Sequence, residues 1–254
     1  MPFQKIPAHK LSQAVQSQIE SLILQGILRP GERLPAERDL SESLGVSRPS
    51  LREAIADLQQ AGLLTSRPGS GIYVAEVLGS AFSPALVQLI SRHERAPYDY
   101  LDFRKDIEGL AADRAARHAS DADLAVIAAT LAQMETARQA DDPQAESALD
   151  VQFHMAIVEA SHNIIALHMM RAMYDLLREG VFYNRARLFD DPAIRAALLD
   201  QHRAINAALQ DRDGPRARQA IVVHLDFVST RLAAQARSDA NADIARLRLR
   251  HIAE

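Results

Sequence analysis

Asp150 and His154 stand four residues apart in Ala-Leu-Asp-Val-Gln-Phe-His-Met-Ala (148–156), a run that reads as helix, so a carboxylate and an imidazole share one face and offer a chelate that divalent metals accept. Two more histidines, His202 and His224, sit among apolar neighbours on separate predicted helices. Helical bundles collect metal ligands from facing helices, and three imidazoles with one carboxylate suit Zn, Ni or another late first-row ion, leaving positions open for water or a small chelating anion. Spacing alone leaves a second reading open: the chain carries 9 histidines, and these three also fit as core or surface residues. Arg104 falls within the arc of Leu101, Ile107, Ala111 and Ala115, where a buried guanidinium needs a partner. That partner is either internal, such as Glu108, or an anionic ligand whose carboxylate matches the planar fork. Asn163 could add an amide to such a pocket or cap a helix.

A different chemistry lies between Leu34 and Val74. Leu40 and Leu44 share a helical face that Gly45 closes, Ser47 offers an N-cap, Pro49 fits a first turn, and Leu51, Ile55 and Leu58 form the buried stripe of a second helix. Arg48 and Arg52 then project from the start of that helix beside Ser47 and Ser50. Arginine there can bond guanine bidentately in a major groove, while hydroxyls and free N–H groups hold phosphates. Leu63–Thr65 and Ile72–Val74 bracket Arg67-Pro68-Gly69-Ser70-Gly71, a hairpin with a glycine turn. The pattern is a helix-turn-helix with a wing. A small helical domain with surface arginines is the plainer alternative.

The elements that must hold these residues follow from composition and punctuation. The 254 residues allow two cores, and low aromatic content (5%) with abundant Ala and Leu favours helices. The fold class is therefore mainly α: a winged helix-turn-helix followed by an antiparallel all-α bundle. Residues 1–76 form the head, with a first helix near Lys10–Gln25; 77–97 form a linker with a short helix at Ala85–Ser91; 98–236 form the bundle; 237–254 form a tail, a frayed helix or disorder, with no function assigned. Pro97, Pro143, Pro192 and Pro215 mark helix starts, and Ser120 with Asp123 reads as a capping pair. Helices are expected near 98–118, 121–139, 144–161, 163–188, 192–210 and 215–236.

Cysteine is absent, so neither disulfides nor thiolates hold the chain together, which is compatible with a reducing cytoplasm. No apolar run approaches the ~18 residues of a membrane span, and a cytoplasmic protein without membrane contact is expected. Net charge is −4, and residues 1–76 carry eight Lys/Arg against eight Asp/Glu. A neutral head releases few counterions and binds DNA weakly alone, so a homodimer reading a palindromic double-stranded operator is expected.

Arg29-Pro30-Gly31-Glu32-Arg33-Leu34-Pro35-Ala36-Glu37-Arg38, the run from Gly45 to Ala54, and Gly69-Ser70-Gly71 resemble the signature of the GntR family of bacterial transcription regulators. The resemblance implies DNA contacts by Arg38, Arg48 and Arg52, by Ser47 and Ser50 on phosphates or base edges, and by Gly69 at the wing tip. Many relatives carry Ser where this chain has Ala36, so a cap is expected to be lost there. Residues 150–163 and 102–112, with His224-Leu225, resemble the FCD ligand-binding domain of the FadR-type branch. That resemblance implies a metal held by Asp150, His154, His202 and His224; with such an ion, Zn or Ni by its donor set, Arg104 and Asn163 would complete a pocket for a small 2-hydroxy or 2-keto acid. Segments 10–12, 47–55, 81–87, 98–101, 159–163 and 224–228 are similar to the pyruvate, lactate and glycolate regulators of the branch. A non-enzymatic regulator is expected, with the helix at Ala85–Ser91 as its switching element. A metal-dependent hydrolase is the rival, and no clear general base stands beside the four ligands to support it.

Overall fold

The structure, a computed structural model, describes residues 8–75, 83–178, 180–182 and 185–253. The chain divides into two compact units, Met1–Ala81 and Phe82–Glu254.

The first unit holds α1 (Ala8–Leu24), α2 (Glu37–Leu44), α3 (Arg48–Gln60) and an antiparallel hairpin of β1 (Leu64–Arg67) and β2 (Gly71–Val74). Its core is a small set of aliphatic side chains, Val15 and Ile19 from α1 against Leu51, Ile55 and Leu58 from α3, closed by Leu64 and Val74 of the hairpin. Each such side chain contributes about 1.5–3 kcal/mol on full burial. Gly45 ends α2 at φ 63°, in the left-handed region, and its N–H closes on the Glu42 carbonyl. That sharp reversal lets α3 leave α2 after only two further residues. Ser47 caps α3 by accepting from the Ser50 N–H at 3.3 Å, and Pro49 lies in the first turn. Ala36 occupies the N-cap of α2 with no side-chain bond, so the cap lost in the sequence is lost in the fold.

The second unit is helical: α4 (Pro84–Ser91), α5 (Ala96–His118), α6 (Asp121–Gln139), α7 (Pro143–Ala160), α8 (Ile164–Arg178), a 3₁₀ turn (Arg185–Phe189), α9 (Pro192–Gln210) and α10 (Gly214–Ala253). All four marker prolines fall in the first two positions of their helices, Pro97 in α5, Pro143 in α7, Pro192 in α9 and Pro215 in α10. The Ser120–Asp123 capping box forms in both directions. α5 packs along α10, α6 along α7, and α9 along α10, enclosing Leu101, Phe153, Ile157, Met170, Ile205 and Leu225.

Two expectations change. The helix expected over 163–188 stops at Arg178, because Gly180 adopts φ 76° and the Gly180 and Val181 N–H groups turn back onto Leu177 and Leu176; a separate 3₁₀ turn follows. The tail takes the helical one of its two expected states and continues α10 beyond the expected end at 236 to Ala253, since it lacks Gly and Pro and its Ala, Arg and Leu residues are strong helix formers. Most of the expected linker before Ser83, residues 76–82, lies outside the described residues.

Candidate metal centre and DNA-reading face

Asp150 and His154 occupy successive turns of α7, His202 comes from α9 and His224 from α10. All four are buried, and one donor atom from each lies within 4.8 Å of the others. His154 Nε2 stands 3.2 Å from His224 Nε2 and 3.4 Å from His202 Nε2, and Asp150 Oδ1 stands 3.0 Å from His202 Nε2. Zn–N bonds of about 2.0–2.1 Å at tetrahedral angles place neighbouring nitrogens about 3.3 Å apart. The residues therefore fit a metal. Burial first, and then His202 and His154, push the His224 imidazole well below its ordinary pKa, which keeps it in the neutral form that ligation requires.

Behind these donors sits a layer that spacing did not assemble. Glu108 Oε2 is 2.7 Å from His154 Nδ1, and Gln201 Oε1 is 2.9 Å from His224 Nδ1. Partners on Nδ1 direct Nε2 toward the centre and raise its basicity as a ligand. Arg104 donates from Nε to Glu108 Oε1 at 2.5 Å and from Nη2 to the Tyr174 hydroxyl, which itself donates to Glu108 Oε1 at 2.9 Å. Burial alone would raise the Glu108 carboxyl, but Arg104 and His154 outweigh it and hold it at about 2. Burial pushes the Tyr174 hydroxyl well above its usual value, so it stays protonated as a donor. Arg104 thus has the internal partner named among its two options, in a network joined to the metal ligands. Only Glu108 of this layer was visible beforehand, at i+4 from Arg104; Gln201 and Tyr174 are brought in by α9 and α8.

A second buried pair spans the same helices. Arg195 of α9 donates from Nε to Glu146 Oε1 of α7 at 2.9 Å and from Nη1 to Asp141 Oδ1 at 2.7 Å. Glu146 lies one turn before Asp150, and Arg195 two turns before His202, so the pair ties together the helices that supply those ligands.

Asn163 stands elsewhere. Its side-chain oxygen accepts from the N–H groups of Ile165 and Ala166, both at 3.2 Å, which makes it the cap of α8. It lines a cleft of 330 Å³ with Arg114, His118 and Ser161, about 10 Å further along α7 than His154 at 1.5 Å per residue. Of the two roles expected for it, the structure shows the cap.

In the first unit Arg38, Arg48 and Arg52 are exposed. Arg52 Nε pairs with Glu37 Oε2 at 2.7 Å and Arg38 Nε with Asp39 Oδ1 at 3.2 Å. Ser47 is exposed at the start of α3, but Ser50 is 4% exposed and its hydroxyl is bonded to Ser47 Oγ at 3.0 Å. Without DNA, the Ser50 hydroxyl is thus engaged in the cap of α3. Gly69 turns the hairpin at φ 70°. Between α3 and the hairpin opens a cleft of 440 Å³ bordered by Arg33, Arg52, Arg67 and Gly69. Arg67 is stacked over the Tyr73 ring at 4.2 Å. Arg33 and Arg67, which lie outside the helix-turn-helix, add two cationic groups beside Arg52 at this cleft.

Two family models divide the chain as the geometry does. Residues 11–74 match the bacterial regulatory proteins of the gntR family, and residues 99–227 match the FCD domain. The chain belongs to the GntR family. Within it, the chain is 37% identical over 225 residues to a regulatory protein named for the L-lactate dehydrogenase operon of Escherichia coli K12, covering 87% of this chain and 86% of that one. It is 34% identical to the Glc operon transcriptional activator of the same strain (79% and 80% covered) and 32% identical to the HTH-type transcriptional regulator LutR of Bacillus subtilis (82% and 94%). A Streptococcus agalactiae GntR structure aligns with TM-score 0.50 at 25% identity, covering 85% of this chain and 98% of that one. This GntR-family chain is a transcription regulator with an all-helical FCD domain, and the families and relatives it matches are regulators, not enzymes. Among the described residues, no helix is long and apolar enough to cross a membrane.

Proposed function

We propose that the chain is a metabolite-responsive repressor that binds a palindromic double-stranded operator as a homodimer in the cytoplasm and releases it on taking up a small 2-keto or 2-hydroxy carboxylate such as pyruvate. The observation that carries the reading is the convergence of three imidazole Nε2 atoms and one carboxylate in the FCD core, joined through Glu108 to the buried cation of Arg104. Asp150, His154, His202 and His224 hold a divalent ion, Zn or Ni, which supplies an acceptor for a keto or hydroxyl oxygen. Arg104, 2% exposed and paired with Glu108, supplies a positive field behind the ion that favours an anionic effector without being its direct partner. Lactate and glycolate are the alternative effectors, since two relatives are named for the L-lactate dehydrogenase and Glc operons, and the Glc relative is named as an activator.

DNA is read by Arg48 and Arg52 at the start of α3, with Arg38 and Ser47 on the backbone and Gly69 at the wing tip. Coupling is reciprocal: an effector that weakens operator binding by some factor is itself bound more weakly by the operator complex by the same factor.

Fluorescence anisotropy on a labelled fragment of the DNA upstream of the chain's own gene tests the reading. Salt-dependent binding that falls on adding one of the three acids supports it. Affinity unchanged by saturating pyruvate, L-lactate and glycolate overturns it.

A further inference from the structure

We propose that the hairpin face on which Arg33 and Arg67 flank Gly71 is a seat for one phosphodiester of the operator backbone. This rests on the DNA-reading role of α3 and adds to it Arg33, a residue outside both the helix-turn-helix and the wing. Arg33 precedes α2 and forms an isolated antiparallel bridge with Tyr73, so its segment runs beside β2 on the edge opposite β1. The Leu34 N–H donates to the Ile72 carbonyl and the Val74 N–H to the Glu32 carbonyl, both at 2.9 Å, which fixes that register. On the other edge of β2, Arg67 stands opposite Gly71. Residues opposite one another across strands share a face, as do residues two apart along one strand. Arg33, Tyr73, Arg67 and the bare Cα of Gly71 therefore lie on one face. The contacts agree: Arg67 stacks over the Tyr73 ring at 4.2 Å, and a Cβ on Gly71 would stand 3.0 Å from Arg33 Nε. The missing side chain leaves the space into which the Arg33 guanidinium folds.

Charge says what fills the seat. Like charges gathered on one sheet face repel, yet among the described residues neither Arg33 nor Arg67 has a carboxylate partner, whereas Arg38 and Arg52 pair with Asp39 and Glu37. Both unpaired groups border the 440 Å³ cleft between α3 and the hairpin, and the one carboxylate residue in its lining, Glu37, is held by Arg52 at 2.7 Å. The walls of the cleft identify the occupant. With α3 in the major groove and Gly69 at the minor groove, the strand that divides the two grooves must cross between them. A phosphodiester there meets two planar guanidinium forks whose donors match its oxygens. Because a phosphate carries no base identity, the seat sets register and affinity and leaves sequence preference to α3.

Anisotropy titrations of the full chain read the result, with circular dichroism as the folding control and three DNA probes: a labelled operator duplex, a scrambled duplex, and operator copies in which one phosphate at a time is a neutral methylphosphonate. Arg33→Ala is expected to weaken operator and scrambled duplex alike by roughly tenfold for each bound head, the loss of one charge-assisted hydrogen bond. The salt slope is expected to fall by about 1 for each head. At one methylphosphonate position in each half-site the wild type is expected to lose a comparable factor, and Arg33→Ala to lose nothing further. Arg33→Ala binding as tightly as the wild type, while Arg52→Ala is weakened, overturns the seat and leaves the DNA-reading role of α3 standing. Arg52→Ala binding as tightly as the wild type overturns that role itself. A loss in Arg33→Ala confined to the operator marks a base contact and overturns the seat, as does a full further loss in Arg33→Ala at every methylphosphonate position.

Discussion

Glu108 Oε2 lies 2.7 Å from His154 Nδ1 while Glu108 Oε1 takes the Arg104 Nε–H at 2.5 Å, so one carboxylate orients a candidate metal ligand and neutralises a buried cation together. The two tasks separate under mutation.

Glu108→Gln keeps the volume and removes the charge. Metal affinity is expected to fall about 10–100-fold through loss of the carboxylate behind His154. Because Arg104 then stays buried without its counter-charge, stability is expected to drop by about 3 kcal/mol. Competition with a chromophoric chelator reads the first, and urea unfolding of the stripped protein reads the second.

Removing the metal is expected to lower the melting temperature of the FCD domain, because ligand bound only to the folded state stabilises by about 2.7 kcal/mol at a hundred times its dissociation constant. Calorimetry with and without EDTA measures this. His154→Ala, which removes one of the four donors, should show a smaller EDTA effect than the wild type.

Much of this centre was legible in the sequence. Asp150 and His154 share a helix, so their separation along the chain is their separation in space, and prolines at the starts of α5, α7, α9 and α10 announced the helices that carry or support the rest. What was hidden depends on packing between helices. Gln201 reaches His224, and Tyr174 reaches Glu108, only because α9 and α8 lie against α10 and α5. Gly180 broke a helix whose apolar periodicity runs on through Val181 and Phe182, since periodicity records burial and not backbone continuity. Ser50 completes a cap, a role a serine at a helix start can take as readily as facing a groove.

Arg52→Ala is expected to weaken operator binding by about 1–3 kcal/mol and to relax sequence preference at one base pair of each half-site, whereas Arg67→Ala is expected to weaken all sequences alike and reduce the salt slope by about 1. Anisotropy titrations at several salt concentrations, on the operator and on scrambled DNA, distinguish these outcomes.

Ala36→Ser is expected to stabilise the first unit by about 0.5–2 kcal/mol, because the N-cap of α2 has no side-chain acceptor and serine supplies one. Chemical denaturation followed by circular dichroism checks it; an unchanged midpoint contradicts it.

The most direct measurement is operator affinity during titration with pyruvate, L-lactate and glycolate, made in parallel on the metal-loaded protein and on His154→Ala. The expected result is a loss of about tenfold or more with one of these acids on the loaded protein, a coupling of about 1.4 kcal/mol, and no response from a variant that still binds the operator. An acid response that persists undiminished in His154→Ala would contradict the role given to the buried Asp-His cluster.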